Sequence, residues 1–267
     1  MRRVAHVSDL HFGRVDSTIL EILRRRLLAL APDLVVVSGD LTQRAKPEQF
    51  REARAFLDTL PKPQIVVPGN HDVPLYNVLL RFLCPLGRYQ RFITDDLQPS
   101  YIDEEIAVVG VNTARSLVFK GGRINEAQVA RLRDKLCPLR EQVTKIVVTH
   151  HPFDVSGSGK NQIVGRARMA LERLADCGAD AFLAGHLHAS HIGHTAERYD
   201  IAGVSALVVQ AGTATSSRTR AEPNAFNLLR VVPRHIEVDQ YVLQGGDFVR
   251  AATEAFDHDR GGWHAAL

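Results

Sequence analysis

Six short apolar runs set the terms of what this chain can fold into. They end the segments RRVAHVSD, DLVVVSGD, QIVVPGN, EIAVVGVNT, KIVVTHH and ADAFLAGH. Each is too short for a helix, and most are rich in β-branched residues without a strict polar alternation. A strand reads this way when both of its faces are buried, as in a parallel sheet covered by helices. The stretches between them carry a helical period. Asp16 or Ser17 caps ILEILRRRLLAL, Pro47 suits the first turn of EQFREARAFLDTL, and Asn125 with Gln128 forms a capping box before EAQVARLRDKL. Residues 75–95 read as helix interrupted by Pro85 and Gly87, and 162–176 as a further helix.

After about residue 190 the alternation stops. SALVVQAG, AFNLLRVV and HIEVDQYVL are strands without intervening helices and are predicted to be antiparallel. With 267 residues, 45% of them apolar, the chain can bury one large core. The economical reading is one layered α/β domain over residues 1–245 and a loosely attached polar tail over 246–267.

Charge and cysteine content exclude several classes. A net charge of +3 with mixed signs gives no basic track for a polyanion. No apolar stretch approaches the ~20 residues that cross a bilayer. Cys84, Cys137 and Cys177 are odd in number and far apart, which predicts free thiols and a cytoplasmic protein.

Polar residues stand at the carboxyl ends of most apolar runs: Asp9 and His11, Asp40, Asn70 with His71 and Asp72, His150 with His151, and His186 with His188. In open α/β sheets that edge is where ligands bind. One aspartate there is usually a helix cap and one buried histidine a satisfied core residue; five such coincidences are not. Seven of these side chains make a metal-ligand set of imidazoles, carboxylates and an amide. Seven are too many for one ion and suit two ions sharing a carboxylate. Strand alternation predicts that Asp9 and His11 point the same way. Gly39 and Gly69 precede Asp40 and Asn70, where a Cβ would obstruct the backbone.

The ordered blocks DLH, GDLT, GNHDVP, THHP and GHLH resemble the five signature blocks of the calcineurin-like metallophosphoesterases, over residues 9–188. SDLHFG, GNHDVP and GTATSSRTRAEPNAFNLL narrow the likeness to bacterial class III cyclic-nucleotide phosphodiesterases. The resemblance implies a four-layer α/β/β/α sandwich of two mixed sheets flanked by helices. It implies two divalent or trivalent ions (manganese, iron or zinc). The first would take Asp9, His11 and His188, the second Asn70, His150 and His186, with Asp40 bridging. It gives His71 the role of protonating the leaving group, with Asp72 orienting it. A homodimer is the family expectation.

The implied reaction is hydrolysis of a small phosphodiester, most simply 3′,5′-cyclic AMP, by a hydroxide whose pKa the ions lower. The same blocks serve phosphomonoesterases, glycerophosphodiesterases and lipid-precursor pyrophosphatases; for the last, residues 75–95 are the one apolar stretch able to hold an acyl chain. A metal-free binding scaffold is the non-enzymatic alternative. Asn112, Arg115 and Arg218 are candidate substrate contacts. His151 is expected beside the ligands, and His191 and His194 at the surface or behind the ligands rather than as additional ligands. SGSGK, 156–160, fails as a P-loop because Asp154 and Asn161 stand where glycine and Ser/Thr are required.

Overall fold

A computed structural model describes residues 1–116, 121–154, 163–188, 190–195, 199, 201, 205–215, 223–259 and 262–266. The first half builds parallel strands β1 (Arg2–Val7), β2 (Leu34–Ser38) and β3 (Gln64–Val67), joined through helices α1 (Ser17–Leu30) and α2 (Pro47–Asp58). Asp16 starts α1 by accepting hydrogen bonds from the Thr18 and Ile19 amides. Two short helices follow, α3 (Val78–Leu83) and α4 (Gly87–Phe92), separated where Pro85 and Gly87 predicted the break.

The second half contributes β4 (Ser100–Ile102), β5 (Ile106–Gly110), α5 (Glu126–Leu136), β6 (Thr144–Val148), α6 (Ala167–Leu174), β7 (Ala181–Ala184), β8 (His191–His194) and β9 (Leu207–Gln210). The predicted box of Asn125 and Gln128 opens α5. Helix α6 starts later than predicted, because Arg166 before it takes a left-handed conformation. The chain then returns to the first sheet as β10 (Ala225–Val232), β11 (His235–Gln244), β12 (Asp247–Asp259) and β13 (Gly262–Ala265).

Two mixed sheets result, ordered β13-β12-β11-β10-β1-β2-β3 and β4-β5-β6-β7-β9-β8. Side-chain alternation explains the layers. Leu34 and Val36 of β2 meet Ile146 and Val148 of β6 between the sheets. Val35 and Val37, on the opposite face, pack under Leu23, Leu27 and Phe50 of α1 and α2. On the second sheet Ala107, Val109 and Val147 turn outward onto Leu132, Leu136 and Leu171. The order helix, sheet, sheet, helix is the predicted sandwich. Among the described residues no helix is long and apolar enough to cross a membrane.

Three expectations need correction. SALVVQAG does not join AFNLLRVV: β9 lies in the second sheet, antiparallel to β8 but parallel to β7, and is buried along its length. The predicted tail after residue 245 is not loose over its described residues, 246–259 and 262–266. Strand β12 pairs along the whole of β11, β13 pairs with β12, and Phe248, Phe256 and Trp263 are buried. The Trp263 indole donates to Asp180 at 3.0 Å, pinning the last strand to the second sheet. Nor are all three cysteines free. Cys137 and Cys177, 40 residues apart, form a disulfide that ties the end of α5 to the turn after α6, and Cys84 alone is a free thiol.

Candidate metal centre

Loops leaving β1, β2, β3, β6 and β7 bring the strand-end residues together, and main-chain bonds lock the loops to one another. The Asp9 amide donates to the Gly39 carbonyl at 3.1 Å, the His11 amide to the Asp40 carbonyl at 2.9 Å, and the Gly185 amide to the His150 carbonyl at 3.1 Å. Strand β1 ends at Val7, so Asp9 and His11 do not converge by alternation along a strand. They converge because both adopt left-handed φ, 54° and 52°. Asp40, His186 and His188 do the same, at 52°, 74° and 59°. Five of the seven expected ligands thus hold a conformation that ordinary residues avoid, a concentration of strain typical of functional sites.

The glycines explain how the loops approach so closely. A Cβ on Gly69 would lie 2.1 Å from Asp40 Oδ1 and 2.3 Å from the Asp40 amide nitrogen. On Gly39, at φ +92°, it would meet the His150 ring at 2.6 Å.

The ligand atoms fall into overlapping groups: Asp9 with His11 and His188, Asp9 with Asp40 and His150, and His150 with His151 and His186. Asp40 Oδ2 lies 3.9 Å from His11 Nε2 and 3.4 Å from His150 Nε2, between one imidazole of each expected set. Asn70 Oδ1 is 3.1 Å from His150 Nε2, and His186 Nδ1 is 3.3 Å from that same nitrogen. His150 donates Nδ1–H to the Ser38 carbonyl at 2.8 Å, which turns Nε2 inward. Ser8 and the His186 amide hold Asp9 Oδ2 at 2.6 and 3.0 Å.

Whether a metal pair fits is decided by the leftover valences. Asp9 Oδ1 and both ring nitrogens of His11 are buried without a hydrogen-bond partner. Asp9 Oδ1 sits 3.6 Å from His11 Nε2 and 3.5 Å from His188 Nδ1. Buried polar atoms are rarely left unsatisfied, and here they converge on shared points. Two buried carboxylates also demand positive charge. Burial pushes both carboxyls up, yet the surrounding imidazoles hold Asp9 and Asp40 below the usual range. His150 answers with a pKa raised to about 9, burial opposing and Asp40 prevailing. Cations supply the same compensation without protonating a ligand. The residues fit two hard or borderline ions bound through nitrogen and oxygen.

His71 stands at the rim, its ring 5.0 Å from that of His11. Its amide donates to Asp40 Oδ1 at 2.8 Å and its Nδ1 to the Gln43 carbonyl at 3.0 Å. Burial lowers its pKa, with Asp40 opposing. Asp72 does not orient it. The Asp72 carboxylate accepts from the Leu41, Thr42 and Gly69 amides and the Thr42 hydroxyl, at 2.8 to 3.1 Å. It braces the loops after β2 and β3 against each other. Burial and the neighbouring Asp40 charge raise it to about 6.

The other candidates separate cleanly. His151 is fully buried with Nδ1 2.8 Å from the Thr113 hydroxyl, and its ring centre lies 4.6 Å from that of His186. His194 turns its ring onto Phe256, and His191 lies on the same edge strand. Asn112 closes its own turn by accepting from the Ala114 amide, and Arg115 donates to the Arg123 carbonyl. Both line a separate cavity of about 480 Å³ with Leu83 and Arg131. Arg218 and the 156–160 loop lie outside the described residues. Sequence reasoning did not single out Gln43, Ser8 or Thr213, the last in contact with His188 Nδ1. Gln43 and Ser8 adjoin the signature blocks but carry no pattern of their own. Gln43, Asn70, His71, Val73, Leu75 and Arg81 help line a cavity of about 200 Å³ beside the centre.

Among solved structures, a purple acid phosphatase from yellow lupin superposes with a TM-score of 0.72 over 97% of this chain and 54% of its own, at 13% identity. At that identity the likeness shows the fold, a metallophosphoesterase-type sandwich. The calcineurin-like phosphoesterase model matches residues 2–190, and the chain belongs to that family. It is 29% identical over 181 residues to a glycerophosphodiester phosphodiesterase of Enterobacter lignolyticus, covering 60% of each chain. That is less than two thirds of the relative's length. It is 27% identical over 273 residues to a cAMP/cGMP dual specificity phosphodiesterase of Mycobacterium tuberculosis, covering 91% of this chain and 80% of the relative.

Proposed function

We propose that the chain is a dinuclear metallophosphodiesterase that hydrolyses a small phosphodiester, with a 3′,5′-cyclic nucleotide such as cyclic AMP as its substrate. One observation carries the dinuclear reading: the Asp40 carboxylate lies between His11 and His150, within 3.9 Å of both. Manganese, iron or zinc ions, when bound, would activate water and neutralise phosphate charge. Asp9, His11 and His188 would hold one ion, Asn70, His150 and His186 the other, and Asp40 both.

The chain's own residues supply the rest. Ser8, Ser38 and Thr213 orient Asp9, His150 and His188 through direct hydrogen bonds, so the ligand set is built before substrate arrives. With Nδ1–H committed to the Gln43 carbonyl, His71 has Nε2 left to give a proton to the departing alkoxide. The cavity beside His71, with Arg44 and Arg81 in its wall and Val73 and Leu75 as apolar surface, receives the leaving group. The similarity to a cyclic-nucleotide phosphodiesterase over 91% of this chain and 80% of that relative supports that substrate class over glycerophosphodiesters.

A manganese-supplemented panel of cyclic AMP, cyclic GMP, an aryl diester, an aryl monoester and glycerophosphocholine tests the reading. Cyclic nucleotides and the aryl diester are expected to be cleaved. Cleavage of the monoester alone, or purified protein that binds no metal, would sink it.

A further inference from the structure

Helix α3 is built inside out. Its one charged residue, Arg81, is 4% exposed and donates from Nη1 to the Pro74 carbonyl at 3.1 Å. Four of its five apolar residues face outward: Val78, Leu79, Phe82 and Leu83 are 62%, 73%, 53% and 81% exposed, and Tyr76 just before them is 78% exposed. A helix on a water-exposed surface places these groups the other way round. Scattered single apolar residues need no explanation, but a contiguous set does. Five of the nine large apolar side chains exposed among the described residues fall within this one stretch.

We propose that α3 is a docking surface for an anionic lipid bilayer. The charge around it selects that occupant. Residues 73–93 contain no acidic residue, and besides the buried Arg81 they carry a half-buried Arg88 and an exposed Arg91. Arg44 adds a guanidinium 5.5 Å over the Tyr76 ring. A second copy would bring an identical cationic segment against this one, whereas anionic headgroups complement it while the apolar side chains enter the acyl boundary. With only six residues, α3 lies in the interface and cannot span it. Arg81 and Leu75 line the same cavity as Asn70 and His71, so docking sets the mouth of the metal centre against the membrane.

The test is vesicle flotation of the full-length, metal-loaded protein. Vesicles of phosphatidylcholine alone are compared with vesicles carrying about one third phosphatidylglycerol, at about 0.1 M and 0.5 M salt. The protein is expected to float at least about tenfold more with the anionic vesicles at low salt, and to lose most of that at high salt. L79E/L83E is expected to lose about tenfold or more in vesicle binding while hydrolysing a soluble aryl diester as the parent does. Leu79→Ser serves in its place if the double variant misfolds. Equal or absent flotation with both vesicle types overturns the proposal. So does self-association in solution that L79E/L83E abolishes, which would assign the face to a second copy. Flotation requires no turnover, so it stands or falls apart from the phosphodiesterase reading.

Discussion

His71 donates its Nδ1–H to the main-chain carbonyl of Gln43 across 3.0 Å, not to the carboxylate that comes next in sequence. The Gln43 side-chain amide also lies 3.2 Å from that nitrogen, but the shorter bond, to backbone, survives side-chain substitution. His71→Ala is expected to lower kcat for a cyclic nucleotide by about a hundredfold or more while bound metal stays near two ions per chain. The loss should be smaller for an aryl diester, whose leaving group departs without a proton. Gln43→Ala, which keeps the carbonyl, should leave most turnover intact. Parallel steady-state kinetics and metal analysis read all three outcomes, and full activity in His71→Ala would remove this residue from the reaction.

The contact between Gly69 and Asp40 makes the bridging carboxylate vulnerable from behind. An added methyl at Gly69 would fall 2.1 Å from Asp40 Oδ1 and must push that carboxylate or its loop aside. Gly69→Ala is expected to bind fewer than about two metals per chain and to lose about a hundredfold or more in turnover, much like Asp40→Ala. Circular dichroism should remain near normal, since the glycine sits beyond the end of β3. Full metal loading in Gly69→Ala would contradict the geometry.

The layered architecture and the meeting of the strand-end residues were legible because the strands of the parallel cores are largely buried and most announce their carboxyl ends with a polar residue. The last two strands, β12 and β13, were not. In β12 only residues near the ends, Phe248 and Phe256, are buried, and the intervening Ala251 to Glu254 are exposed, so no period of two marks the strand. Asp72 was misjudged for a different reason. In the tight turn Asn70–Asp72 successive side chains point about 120° apart, so adjacency in sequence separates His71 and Asp72 in space. Spacing alone likewise cannot show that Cys137 and Cys177 meet, because α5 and α6 bring them together only after packing on the second sheet.

That disulfide gives a direct test of the packing. Closing a loop between residues 40 positions apart is expected to stabilise the fold by about 4 kcal/mol in the chain-entropy account. Urea unfolding with and without reductant should show a difference of that order. C137S/C177S should match the reduced protein and ignore reductant. An oxidised and a reduced protein of equal stability would show that the link adds nothing to the fold.

Acid sensitivity should trace in part to His6, buried in β1 with Nε2 2.9 Å from the Ser38 hydroxyl. Burial pushes its pKa down to about 3, with Asp9 opposing. In the unfolded chain a histidine titrates near 6.5. Above that pH the ring is neutral in both states and adds no pH dependence. Between about 6.5 and 3 the unfolded chain binds a proton that the folded chain refuses, so stability falls as pH falls, by up to about 1.4 kcal/mol per unit. His6→Gln keeps a partner for Ser38 and cannot titrate. Relative to this variant, the parent metal-free protein should lose about 2 to 3 kcal/mol more between pH 7 and about pH 4.5. Urea unfolding of both proteins at the two pH values measures the difference, and parallel losses would show that His6 is not held neutral in the fold.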